Sequence, residues 1–116
     1  MPGYLISPAA EEDIESILAW TNGEFGEAAG LRYEALLVRA MLDIAERSDR
    51  AGSHARPEIG AGLRSNHISY SRTRVSARVG RVKQPRHFLL YRIGSDGRIE
   101  IGRVLHDSMD LERHKP

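Results

Sequence analysis

Residues able to act as acids, bases or phosphate ligands gather near the C-terminal end of the sequence. Within twelve residues the chain places Arg103, His106, Asp107, Asp110 and His114. Histidine can exchange a proton near neutral pH and arginine can stabilise charge on a phosphate, so this cluster is chemically suited to RNA cleavage. The simpler interpretation, which we favour, is that His106 and Asp110 tie a C-terminal turn to the preceding strand through hydrogen bonds.

The same cluster also has a spacing that could bind a metal ion. His106, Asp110 and His114 would lie on one side of a helix, as three zinc ligands can. These residue types are equally ordinary on a solvent-facing turn, the chain contains no cysteine, and its other three histidines show no convincing ligand spacing. The sequence therefore predicts neither a metal site nor a cofactor.

Positive charge is concentrated in one part of the sequence. Residues 62–92 carry seven arginines and one lysine with no acidic residue, whereas residues 1–61 carry eleven acidic residues against five arginines. This asymmetry indicates one face built to meet an anionic partner. The basic segment, residues 71–86, supplies a predicted set of residues that bind phosphate or an acidic peptide: Arg72, Arg74, Arg78, Arg81, Lys83 and Arg86. The alternative is a solvated loop whose charge only keeps it soluble.

Composition limits the classes of protein to which the chain can belong. A length of 116 residues suits one domain, spanning 1–116, and the lack of cysteine leaves the apolar core to stabilise it. The sequence has no signal-peptide pattern and no run of about 18 apolar residues. We expect a soluble, cytoplasmic protein that does not enter membranes. No recognition helix accompanies the basic residues, so direct reading of a DNA sequence is not expected.

Two amphipathic helices are predicted in the first half of the chain. Ser7-Pro8 is typical of a helix start, and the first helix is expected to end near Thr21, before Asn22-Gly23. The second helix has one apolar face that includes Ala29, Tyr33, Leu36, Leu37, Ala40, Met41 and Ile44. Its opposite face is expected to hold Arg39 and Asp43. Gly30 indicates either a close helix crossing or a late helix start.

Strands are predicted before and after this helical hairpin. The first is the run around Tyr4-Leu5-Ile6, and three more follow at 63–70, 87–93 and 98–105, with a loop over 48–62. Helices and strands segregate along the chain, which favours an α+β fold of order β-α-α-β-β-β. We expect a mainly antiparallel sheet with the helical hairpin packed on one face. Tyr33 is expected in the core, and Trp20 at the core edge or on a partner surface.

Several short motifs in this order resemble one known family. They are Tyr4-Leu5-Ile6-Ser7-Pro8-Ala9-Ala10 with Asp13 and Ile17, Ala29 with Tyr33, Gly62-Leu63-Arg64-Ser65, Phe88-Leu89-Leu90-Tyr91-Arg92 and Arg103-Val104-Leu105-His106-Asp107-Ser108-Met109-Asp110. Together they cover nearly the whole chain, and the last is the most diagnostic. The sequence resembles the ParE-type toxins of the RelE/ParE superfamily.

The resemblance implies the toxin of a type II toxin-antitoxin system, as used in plasmid stabilisation. ParE-type toxins inhibit DNA gyrase without known chemistry of their own. The implied antitoxin is ParD-like, pairs a ribbon-helix-helix DNA-binding dimer with an acidic or amphipathic tail, and alone mediates contact with operator DNA. The predicted target-binding residues are Arg103, His106, Asp110 and Arg113. The basic segment departs from the shorter ParE pattern and is expected to form an inserted hairpin arm or a mobile loop.

The alternative function is that of a RelE-like endoribonuclease that cleaves mRNA on the ribosome. Its catalytic or phosphate-binding set would be Arg64, Arg92, Arg103 and His106. RelE-like catalysis is expected to use a tyrosine close to the C-terminus, but the last tyrosine here is Tyr91. We therefore favour a protein-binding toxin over an enzyme.

Overall fold

The computed structural model describes residues 3–109. Its elements are β1 (Tyr4–Ile6), α1 (Pro8–Phe25), α2 (Glu27–Glu46), β2 (Ser53–Ala55), β3 (Arg64–His67), a 3-10 helix (Ile68–Arg74), β4 (His87–Ile93) and β5 (Ile99–His106). Within the described residues the strands form one sheet of order β1-β5-β4-β3-β2, in which only the β1–β5 pair is parallel. The predicted α+β class with a mainly antiparallel sheet is confirmed. No helix in this part of the chain is long and apolar enough to cross a membrane.

The N-terminus of α1 follows the local sequence signals, but its C-terminus does not. The Ser7 hydroxyl accepts a hydrogen bond from the Ala10 amide at 3.1 Å, and Pro8 occupies the first turn. The helix then passes through Asn22-Gly23 and ends at Phe25, so the predicted end near Thr21 is wrong. Packing against α2 along the extra turn outweighs the weak helix propensity of these residues.

Gly30 marks a close crossing of the two helices. A Cβ atom at Gly30 would lie 1.7 Å from Asn22 Oδ1, which is closer than any real contact, and the residue is buried. Of the two interpretations of this glycine, the close crossing is therefore correct. The helix itself begins earlier, at Glu27.

The strands differ from the prediction in two places. Residues 53–55 form the edge strand β2 inside the predicted loop. The Ser-His-Ala triplet lacks the apolar alternation by which a strand is predicted, but its backbone still pairs with β3. The strand predicted over 63–70 ends at His67, whose side chain accepts a hydrogen bond from the Ser69 amide and caps the 3-10 helix. Described residues 75–86 contain no strand, so the basic segment forms no hairpin, and Val75 and Val82 pack against the core.

The core lies between the hairpin and one face of the sheet. Tyr33, Leu36, Leu37, Ala40, Met41 and Ile44 of α2 pack there with Leu89, Tyr91, Ile99, Ile101 and Val104, as the amphipathic pattern predicts. A bulge interrupts β5, since Leu90 pairs with Arg103 while Tyr91 pairs with Ile101, which leaves Gly102 without a partner. Before the bulge the odd-numbered residues Ile99 and Ile101 face the core, whereas after it the even-numbered Val104 does.

Candidate functional site

Arg103 follows the bulge and binds the first helix. Its Nε and Nη2 atoms donate to the two carboxylate oxygens of Asp13 at 2.7 and 2.9 Å, and the Val104 amide donates to the same carboxylate at 2.9 Å. The Ser7 hydroxyl donates to the carbonyl of Gly102 at 2.8 Å. Hydrogen bonding to Asp13 also raises the pKa of Arg103. These hydrogen bonds hold β5 against α1 and orient the strand beyond the bulge.

Histidines from two strands meet where β5 ends. The rings of His87 and His106 lie edge to face with their centres 5.3 Å apart. The Tyr33 hydroxyl accepts a hydrogen bond from the Arg86 amide at 3.0 Å and is placed to donate to His87 Nδ1 at 2.6 Å. Tyr33 is therefore in the core, as predicted, and also orients a histidine of the site.

Asp107 joins this cluster to the basic segment. Its carboxylate lies 3.1 Å from His67 Nε2, 3.2 Å from an Nη atom of Arg86 and 3.6 Å from His106 Nδ1. Burial acts to raise the pKa of Asp107, but the His67 hydrogen bond and the Arg86 charge outweigh it and hold the pKa below its ordinary value. The Asp107 amide also donates to the carbonyl of Arg86 at 2.8 Å. The end of the basic segment is thus fastened to the end of β5.

The protein is expected to lose stability in mild acid because of His87. Burial, followed by the nearby His106, lowers the pKa of His87 from 6.5 to about 4. The unfolded chain takes up this proton near pH 6.5, whereas the folded chain does so only near pH 4. The free energy of unfolding should therefore fall as the pH falls through this window. Urea unfolding followed by circular dichroism at about pH 7 and about pH 5 measures the loss.

Histidine substitutions test the assignment of this pH dependence. His87→Asn should remove a large part of it, because the group whose pKa differs between the folded and unfolded states is then missing. His54→Asn is the matched control, since His54 is exposed on the edge strand β2. A pH dependence that survives in His87→Asn but disappears in His54→Asn would contradict the assignment.

A cleft of about 920 Å³ opens beside the histidines, between the helical hairpin and residues 80–87. One wall carries Trp20 and Phe25, whose rings pack edge to face at 5.6 Å and are 61% and 67% exposed. The cations that line it are Arg32, Arg81, Lys83 and Arg86. Tyr33, His87 and His106 line it between these two groups. The cleft can therefore bind a ligand that combines apolar groups with negative charge.

The basic segment divides into anchored and available cations. Arg72 donates to the Val82 carbonyl, Arg74 contacts Asp43 and Arg86 contacts Asp107. The side chains of the remaining three, Arg78, Arg81 and Lys83, are exposed and have no hydrogen bond or ion pair with any residue in the described range 3–109. The predicted set therefore contains residues that hold the segment in place and residues that can meet a partner.

Arg64 and Arg92, two other predicted site residues, do not come together. Arg64 donates to the Ser53 hydroxyl at 2.8 Å and Arg92 to Glu100 at 2.9 Å. Arg64 pairs across the sheet with Tyr91, and paired residues share one face of the sheet. Arg92 is next to Tyr91 in β4 and therefore lies on the opposite face from Arg64. Asp110, Arg113 and His114 lie outside the described residues.

Four residues now found at the site were missed from the sequence or assigned a different role. Phe25 and Arg32 received no role in binding, Asp13 appeared only as part of a motif, and Asp43 was expected on the solvent face of α2. Asp43 is 3% exposed. The signal for its burial was its position seven residues after Leu36, which is about two helical turns and thus the same face.

Two comparisons with known proteins identify the family of the chain. Residues 4–111 match the model of the family described as the ParE toxin of the type II toxin-antitoxin system, parDE. The chain is similar to Toxin ParE1 of two Mycobacterium tuberculosis strains, CDC 1551 / Oshkosh and ATCC 25618 / H37Rv. In each case the identity is 31% over 111 residues, which cover 96% of this chain and 95% of the relative. The chain therefore belongs to the ParE toxin family of type II toxin-antitoxin systems.

Proposed function

We propose that this toxin inhibits DNA gyrase by binding it, acts in the cytoplasm, and is neutralised by a cognate ParD-like antitoxin. The observation that carries the proposal is that the arginines a nuclease would need are held by different partners. Arg64, Arg92 and Arg103 each have a different protein partner, namely Ser53, Glu100 and Asp13. A surface that binds a protein does not require these groups to converge on one phosphate, whereas a catalytic site does.

The proposed target surface is the end of β5 and the residues that follow it. His106 is partly exposed beside the cleft. The proposed target-binding set also includes Asp110 and Arg113, which lie outside the described residues. Arg103 belongs to the same surface, but its hydrogen bonds to Asp13 indicate that it acts chiefly by holding β5 in place. His106 is therefore the better position at which to test target binding.

The proposed antitoxin site is the cleft. The exposed aromatic rings of Trp20 and Phe25 suit the apolar side chains of an amphipathic tail, and Arg81 and Lys83 on the basic segment suit its acidic residues. Charge of this sign would also speed the encounter with an acidic tail. The ribbon-helix-helix part of the antitoxin would supply all sequence-specific contacts with operator DNA.

Purified gyrase and ribosomes together test the proposed target. Supercoiling by gyrase is measured with added toxin, and ribosome-dependent cleavage of mRNA is measured with the same preparation. We expect supercoiling to be lost while mRNA stays intact. His106→Ala should weaken inhibition by the few kcal/mol of an interface residue at most, rather than abolish it.

A second candidate function, mRNA cleavage on the ribosome, is favoured by one observation. Tyr33, His87 and His106 line the same cleft as Arg86, and histidine and tyrosine are able to transfer protons. In that case mRNA would be cut, supercoiling would be unchanged, and His106→Ala would lower the cleavage rate by orders of magnitude. That pair of results would overturn the gyrase proposal.

A further inference from the structure

A second group of cations lies outside the cleft, around Asp43 in the last turn of α2. The Asp43 side chain is only 2% exposed, and its carboxylate lies 3.0 Å from Arg39 Nε, 3.0 Å from Arg74 Nε and 3.5 Å from Arg50 Nη1. The Ser71 hydroxyl donates to the same carboxylate at 2.6 Å. One buried acid thus brings together arginines from α2, from the loop after it and from the 3-10 helix.

The positive charge of this group exceeds the negative charge. Among residues 3–109, Arg39, Arg50 and Arg74 form ion pairs only with Asp43. Three guanidinium groups therefore share one carboxylate. The partial negative charge at the C-terminal end of α2 offsets only part of the excess. The group remains cationic where it meets solvent.

Two of these arginines have hydrogen-bond donors left for a ligand. Arg50 uses its Nη atoms for the Ser71 hydroxyl and the Tyr70 carbonyl. Arg39 and Arg74 use Nε only, and their Nη groups have no hydrogen-bond partner in the described part of the chain. Their side chains are 28% and 51% exposed. Because both Nε atoms bind the same Asp43 oxygen, the two guanidinium groups are adjacent and already oriented.

We propose that Arg39 and Arg74 bind backbone phosphates of nucleic acid. An arginine whose N–H donors are already oriented is well suited to bind phosphate oxygens. Here Asp43 orders both side chains before a ligand binds. Nucleic acid fits better than an acidic peptide because adjacent guanidinium groups with oriented donors match phosphate oxygens, and Tyr70, 49% exposed next to Ser71, offers a ring on which a base can stack. Arg74 also belongs to a stretch, residues 62–92, that holds eight cations and no acid. The toxin would thus make sequence-independent contacts with nucleic acid in addition to binding proteins.

The salt dependence of DNA binding tests this site. The full-length chain is titrated into a short labelled duplex of mixed sequence, and fluorescence anisotropy gives the affinity between about 50 and about 200 mM salt. A phosphate contact contributes about 0.9 to the slope of log affinity against log salt. We expect Arg39→Gln and Arg74→Gln each to reduce the magnitude of the slope by about that amount.

A charge-matched variant separates this site from a general effect of net charge. Arg98→Gln removes one exposed arginine that pairs with Asp96 in the β4–β5 turn, and it should leave the slope unchanged. Equal slopes for Arg39→Gln and Arg98→Gln would overturn the proposal. If Arg74→Gln does not fold, as judged by circular dichroism, the comparison of Arg39→Gln with Arg98→Gln decides alone.

Polyglutamate distinguishes the two classes of anionic polymer. Binding of polyglutamate that requires Arg39 and Arg74, with DNA binding unaffected by their replacement, would also overturn the proposal. Neither assay contains gyrase or ribosomes. Their outcome is therefore independent of which target the toxin inhibits.

Discussion

Asp43→Ala is expected to lower the free energy of unfolding by about 3 kcal/mol, at the lower end of the range for breaking a buried ion pair. The substitution removes the carboxylate that Arg39, Arg50 and Arg74 share and leaves the buried Ser71 hydroxyl without its acceptor. Like charges then face one another without compensation. The loss is not larger because Arg74 is 51% exposed and can return to water. Urea unfolding followed by circular dichroism measures the difference.

Asp49→Ala is the matched control for Asp43. Asp49 is exposed and has no hydrogen bond or ion pair within the described residues, so its replacement should change stability by no more than about 0.5 kcal/mol. The 3-10 helix should also loosen in Asp43→Ala, because Arg74 and Ser71 lose their contact with α2. Similar stabilities for the two variants would show that the arginine cluster does not depend on its central acid.

Trp20→Ala is expected to weaken binding of the cognate antitoxin by at least about 2 kcal/mol, or about 30-fold in Kd. The indole is 61% exposed in the unbound toxin and packs against Phe25 on the cleft wall. Covering both rings would remove a large apolar area from water. Isothermal titration calorimetry with the purified antitoxin measures the change.

Leu31→Ala is the control for this cleft prediction. Leu31 is an apolar side chain of α2 that is 57% exposed but does not line the cleft. Its replacement should leave the antitoxin affinity nearly unchanged. Thermal unfolding of both variants checks that neither has lost its fold. A larger loss of affinity for Leu31→Ala than for Trp20→Ala would place the antitoxin on a different face of the hairpin.

Features that depend on local sequence were predictable. Ser7-Pro8 begins α1 as expected, and the apolar positions of α2 face the sheet because helical periodicity fixes them. Features that depend on a distant partner were not. β2 exists only because β3 pairs with it, and α1 passes Asn22-Gly23 because α2 packs along it.

The candidate site shows the same division. The cations of the basic segment are evident from the sequence, but which of them are anchored depends on contacts such as Arg74 with Asp43, 31 residues away. The cleft brings Trp20 and Phe25 of α1 together with residues 80–87, and no local pattern predicts that arrangement. The bulge at Gly102 likewise changes which residues of β5 face the core. A glycine in a strand indicates such a bulge only in general terms.

The pairing of the first strand with the last has a consequence for the timing of synthesis. β1 lies parallel to β5, with Tyr4 opposite Ile99, and Ser7 bonds Gly102 across 95 residues. Contacts between such distant positions form late and slow folding. We expect the nascent chain to remain inactive until β5 has left the ribosomal exit tunnel. The cognate antitoxin then has an interval in which to reach the toxin before it matures.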